Sequence, residues 1–128
     1  MKKIVLVGLL ILLSTHIFAQ QKDTLFFQFS DYLQEDNGFP NFYFLKNERK
    51  NGEEFLFKQD TIYNDLEPEK IFCIEKYIKN SEFYNEKKYR RIYAYGLYEH
   101  LREYIVFLVK KENNKNIYIK VFPLTMIE

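Results

Sequence analysis

YIVFLVKKENNKNIYIKVF, residues 104–122, decides the fold class of this chain. Residues 104–109 are apolar on both faces and rich in β-branched and aromatic side chains, the pattern of a central strand covered on both sides. Residues 110–116 form a polar connection, after which Ile117, Ile119 and Val121 alternate toward one face. The two runs predict a C-terminal hairpin. Pro123 is expected to end its ladder, because proline has no N–H to contribute.

Upstream, TLFFQFS (residues 24–30) places Leu25, Phe27 and Phe29 on one side of a strand. NFYFL (41–45) does the same for Phe42 and Phe44, and EFLFK (54–58) for Phe55 and Phe57. Residues 31–38, ending in Asp36-Asn37-Gly38, read as a polar turn, and residues 46–52 as a charged connection. From Pro68 the period changes. Ile71, Ile74 and Ile78 fall at helical spacing, which predicts a helix over about 68–80; a short strand over 70–73 leading into a shorter helix is the competing reading. Tyr93, Leu97 and Leu101 mark a second helix over 90–102, in which Gly96 costs about 1 kcal/mol relative to alanine. The expected fold is therefore α+β: a mostly antiparallel sheet of about five short strands, with one or two helices between strands 3 and 4.

The N-terminus carries a different signal. Lys2 and Lys3 precede an apolar run from Ile4 to Leu13, and Ala19 offers a small residue for cleavage. The run is too short for a bilayer span, which needs about 20 residues, and it matches a secretory leader over residues 1–19. The Ala-Gln exit resembles that of exported proteins of bacterial envelopes. Removing 19 of the 128 residues leaves 109, enough for one self-sufficient domain over 20–128. The expected location is periplasmic or extracellular, with no membrane span after cleavage.

Composition narrows the function classes. Without Lys2 and Lys3, 17 basic residues face 18 acidic ones, a balance that gives no electrostatic reason to expect nucleic acid. Cys73 is the only cysteine, so no intramolecular disulfide can form, and its apolar setting, Ile71-Phe72-Cys73-Ile74, reads as a buried, inert thiol. With 11 tyrosines and 13 phenylalanines the core is expected to be aromatic, with several tyrosines left for binding.

Catalytic signatures are sparse. His16 leaves with the leader, so His100 is the one histidine available to a Cys73–His100 dyad, and it reads as a solvated helix residue among charges. Zinc and other cofactors are not expected, since one cysteine and one histidine cannot supply a typical ligand set. Asp31, Glu35, Asp36 and Asn37 cluster before Gly38, but an EF-hand alignment puts Leu33 at the first ligand position and Phe44 at the twelfth. No glycine-rich phosphate loop occurs.

One surface motif stands out. Lys87, Lys88, Arg90 and Arg91 flank Tyr89, and with Tyr84 and Tyr93 they form the candidate binding patch. Asp60-Thr61-Ile62 resembles the tripeptide that some bacteria O-glycosylate on exported proteins, which makes Thr61, in an expected loop, a candidate acceptor. The expected role is a non-enzymatic binding protein for a protein or glycan of the envelope. The alternatives are an inhibitor or immunity protein against an envelope-active effector, and a hydrolase using dispersed carboxylates.

Overall fold

The computed structural model describes residues 22–36, 38–48, 53–85 and 91–127; the leader expected over 1–19 lies outside the described residues. Seven strands form one mixed sheet in the order β2-β3-β4-β9-β8-β1-β5. They are β1 (Asp23–Gln28), β2 (Leu33–Asp36), β3 (Phe39–Leu45), β4 (Glu53–Tyr63), β5 (Phe72–Cys73), β8 (Tyr104–Glu112) and β9 (Lys115–Ile127). A separate two-stranded ribbon pairs β6 (Tyr84–Asn85) with β7 (Arg91–Ile92). The helices are short: α1 is Ile74–Lys79 and α2 is Ala94–Leu101.

This corrects the α+β expectation of about five mostly antiparallel strands. The protein is mostly β, and β1 runs parallel to both β8 and β5. Alternation along a strand shows which side chains share a face and carries nothing about the direction of a neighbour far away in the chain. Strand content was also underread where it is polar. Residues 33–36 form β2, antiparallel to β3, although the segment reads as a turn. Likewise β4 continues through Asp60 and Thr61, with a register shift against β9 between Gln59 and Ile62.

The hairpin is present and longer than expected. Pairing runs from Val106↔Val121 to Glu112↔Lys115, leaving only Asn113 and Asn114 as the loop. Both have positive φ, 51° and 63°, the backbone of a type I′ turn whose twist matches the flanking strands. Pro123 does not end the ladder. It is buried and pairs with Phe57 of β4. Beyond Val121 the β8 pairing has stopped, so this part of β9 is paired on one side only and tolerates a residue without N–H.

The core lies mainly on one face of the sheet. Phe27, Tyr43, Leu45, Phe55, Phe57, Val106, Leu108, Ile119 and Val121 meet Ile74 and Ile78 of α1 and Ala94, Leu97 and Leu101 of α2. On the opposite face a smaller cluster of Phe107, Val109 and Tyr118 packs with Phe26, Ile105 and Leu66. Thus β8 is covered on both sides, as its composition requires. The alternation holds in β1, β4 and β9. In β3 the main core takes Tyr43 and Leu45 instead, while Phe44 is buried outside that cluster, its ring 6.5 Å from that of Phe39.

Both helices start later than their periodicity suggests. Phe72 and Cys73 pair with Phe27 and Gln28, so α1 begins at Ile74, as in the competing reading, and Ile71 stays exposed. Tyr93 caps α2 and is also exposed; its N–H donates to Phe83 O at 2.7 Å. A Cβ at Gly96 would lie 2.6 Å from Tyr93 Cδ1 and 2.8 Å from Phe83 Cδ1. Gly96→Ala should therefore destabilise by about 1 kcal/mol or more despite the better helix propensity of alanine. Thermal melting of the variant checks the sign.

Candidate functional site

The β5–α1 junction, the turn after α1 and His100 of α2 line an open groove of about 640 Å3. Its apolar surface comes from Ile71, Phe72, Tyr77 and Phe83. Lys76, Asn80, Ser81 and Glu82 supply polar groups of both signs, and Cys73 and His100 complete the lining. The turn is well tied: Ser81 Oγ donates to Ile78 O at 2.6 Å, and Phe83 N–H donates to Ser81 Oγ at 3.3 Å.

His100 is not the solvated helix residue that its neighbours in sequence suggest. It is half-buried, its ring 6.2 Å from Tyr77 and nearly parallel to it, and 5.4 Å from both Phe83 and Tyr104. Its Nε2 shares a 2.9 Å hydrogen bond with the Tyr77 hydroxyl. A phenol can donate or accept, so this contact survives either protonation state of the imidazole. Burial, with a smaller contribution from Tyr104, holds the Tyr77 phenol above its ordinary range, so it stays neutral at physiological pH.

Cys73 also departs from expectation, being exposed rather than buried. In β5 the ring of Phe72 turns toward the core, 6.3 Å from Phe27, and strand alternation sends the next side chain the other way. Cys73 and His100 thus line one groove, yet among the described residues no hydrogen bond joins them. A thiolate-imidazole nucleophile works through such a contact.

β5 is the last strand of the sheet, and among the described residues its outer edge has no strand partner. The groove therefore combines an open strand edge with an aromatic floor. Sequence reasoning missed Phe72, Tyr77, Phe83, Ser81 and Glu82 as groove residues. The one available signal was the pairing of Cys73 with His100 as the chain's scarce reactive groups.

The tyrosine and basic patch is only partly described. Lys87, Lys88, Tyr89 and Arg90 lie outside the described residues, and Arg91 contributes backbone to β7 opposite Asn85. Tyr84 is half-buried and lines a second concavity, which Tyr93 does not line. Thr61 is exposed, but within β4 beside its register shift rather than in a loop. A third concavity gathers Lys22, Arg102 and Lys120, whose cations are already engaged. Lys22 Nζ donates to Arg102 O at 3.1 Å, Arg102 lies over Tyr98, and Lys120 lies over Phe122.

Among the described residues, no group of three or more His, Cys, Asp or Glu side chains is placed to hold a metal ion, and no helix is long and apolar enough to cross a membrane. In comparisons with known proteins, no family model matches the chain, no curated protein matches it, and no solved structure matches its fold.

Proposed function

We propose that this is an exported, non-enzymatic binding protein of the cell envelope that takes an extended peptide segment of a partner protein into the groove beside β5. The leader-like residues 1–19 support the location. The observation that carries the binding mode is the open edge of β5 beside a groove whose aromatic floor is anchored in the core while Ile71 and Cys73 stay exposed at its rim. Ile71 is 39% exposed there, and Cys73 is exposed beside it. An added strand gains main-chain hydrogen bonds from such an edge, and the adjacent pocket selects its side chains. The ring surfaces of Phe72, Tyr77 and Phe83 suit an apolar or aromatic side chain, with Lys76 and Glu82 reading polar neighbours.

Cys73 provides a direct test, because a bound strand would cover it. An array of short peptides, apolar at alternate positions, is screened for slowing the reaction of Cys73 with a maleimide. At least one sequence should protect the thiol in proportion to its occupancy, and Tyr77→Ala should weaken that protection. A thiol that reacts equally fast with every peptide present rejects the peptide-groove reading. Fractionation with mass analysis of the N-terminus tests the location; retention of Met1 on cytosolic protein rejects it.

A further inference from the structure

The second concavity, about 410 Å3, uses a different face of α1. Glu75 and Lys79 line it, whereas the β5 groove uses Lys76 and Asn80. Tyr32 lies in its wall, 6% exposed, with its hydroxyl buried and without a hydrogen-bond partner among the described residues. The residue is held in place through its backbone: Lys46 N–H donates to Tyr32 O at 2.7 Å, and Tyr32 N–H donates to Ser30 Oγ at 3.4 Å. A buried polar group left without a partner is costly and calls for an explanation. Burial, then the charges of Glu48 and Glu75 and the nearby Tyr84, hold this phenol well above its ordinary range, so it is a neutral O–H in the wall of the concavity.

The surrounding charges narrow the ligand class. Among the described residues, Asp31, Glu48 and Glu75 bring three carboxylates, and Lys46 and Lys79 two ammonium groups. Lys79 Nζ is bonded to Glu75 Oε2 at 2.8 Å and sits 5.8 Å and 5.9 Å from the ring centroids of Tyr32 and Tyr84. A cationic ligand would meet Lys79 already occupying the space over both rings. An anionic ligand would meet three carboxylates. A neutral ligand rich in hydroxyls meets neither obstacle, because each hydroxyl can donate to a carboxylate and accept from an ammonium or phenol. Tyr84, half-buried, adds apolar ring surface.

We infer that this concavity is a binding site for a neutral saccharide unit, into which the Tyr32 hydroxyl donates. It is separate from the β5 groove and does not depend on the peptide reading.

Calorimetric titration of the folded protein with maltose, cellobiose and the N-acetylglucosamine disaccharide tests it, with inorganic phosphate and putrescine as charged controls. Sedimentation with insoluble cellulose or chitin separates recognition of a polymer from recognition of free sugar. At least one saccharide arm should saturate. Tyr32→Phe should weaken that binding about three- to tenfold, the worth of one hydrogen bond, without lowering the melting temperature, because it deletes a group that makes no bond in the free protein. Lys79→Met should also weaken it. The inference is overturned if no saccharide binds, if Tyr32→Phe binds as tightly as the wild type, or if phosphate or putrescine binds in preference.

Discussion

Alanine at Phe27 is expected to cost about 3–5 kcal/mol, the range for deleting a fully buried aromatic ring. Phe27 is completely buried in β1, between Phe72 of β5 and Leu108 of β8. Its ring meets Tyr77 of α1 edge-on at 5.0 Å and Phe72 at 6.3 Å. The sheet cannot collapse around a vacancy there, since backbone pairing holds β1 on both sides. A domain of this kind has only about 5–15 kcal/mol in total, so much of its stability rests on this ring. Phe27→Leu should cost less, because it keeps most of the volume. Phe39→Ala, at an exposed ring, should stay within about 0.5 kcal/mol of wild type. Urea denaturation of the three variants gives the comparison. A cost at Phe27 no larger than that at Phe39 would contradict the packing described here. The same substitution should loosen the groove, because Tyr77 loses one ring partner while holding His100 by its hydroxyl.

The second large effect is alkaline. Burial is the main cause that raises the phenols of Tyr32, Tyr43 and Tyr77; nearby carboxylates add to it at Tyr32 and Tyr43, and Tyr104 adds to it at Tyr77. In the unfolded chain these groups ionise near pH 10. Their stabilising contribution is therefore complete below about pH 10. Above it the unfolded state releases protons that the native state keeps, and stability falls as pH climbs toward the folded values. Each fully buried tyrosine contributes a slope of up to about 1.4 kcal/mol per pH unit. Tyr32 and Tyr43 are each 6% exposed. Tyr77 is half-buried, and solvent screening reduces its share. The expected initial slope is about 2–3 kcal/mol per pH unit. Urea midpoints followed from neutral to alkaline pH, alongside tyrosinate absorbance, measure it. Tyr32→Phe should remove part of the slope, and a flat profile above pH 10 would refute the burial argument. Tyr95 is different, because its phenol is raised through a hydrogen bond to Glu99 on an exposed helix face, and it carries no such stability claim.

Strand faces were readable wherever the apolar period was two. Leu25, Phe27 and Phe29, then Phe55 and Phe57, then Ile117, Ile119 and Val121 all turn toward the main core. NFYFL misled because both of its faces are aromatic, so periodicity cannot say whether Phe42 and Phe44 or Tyr43 and Leu45 face the helices. The turn-like segment 31–38 hid β2 because an edge strand can carry polar side chains and still pair along its other side. Of the candidate site, Cys73 and His100 were recognisable as scarce groups, but their surroundings were misjudged in opposite directions. Helical neighbours made His100 look solvated, and apolar neighbours made Cys73 look buried.

Taken alone, the amino-acid order determined the C-terminal hairpin, the apolar sides of β1, β4 and β9 and the two-sided burial of β8. These properties are written in nearest neighbours, where side-chain period and turn chemistry act over a few residues. Only the tertiary structure decided that β1 lies parallel between β8 and β5, that α1 waits until Ile74, and that Tyr77, Phe83 and His100 meet across a groove. Such outcomes depend on which distant segments return to the same place, and pairing energy there outweighs the local preference for helix or turn.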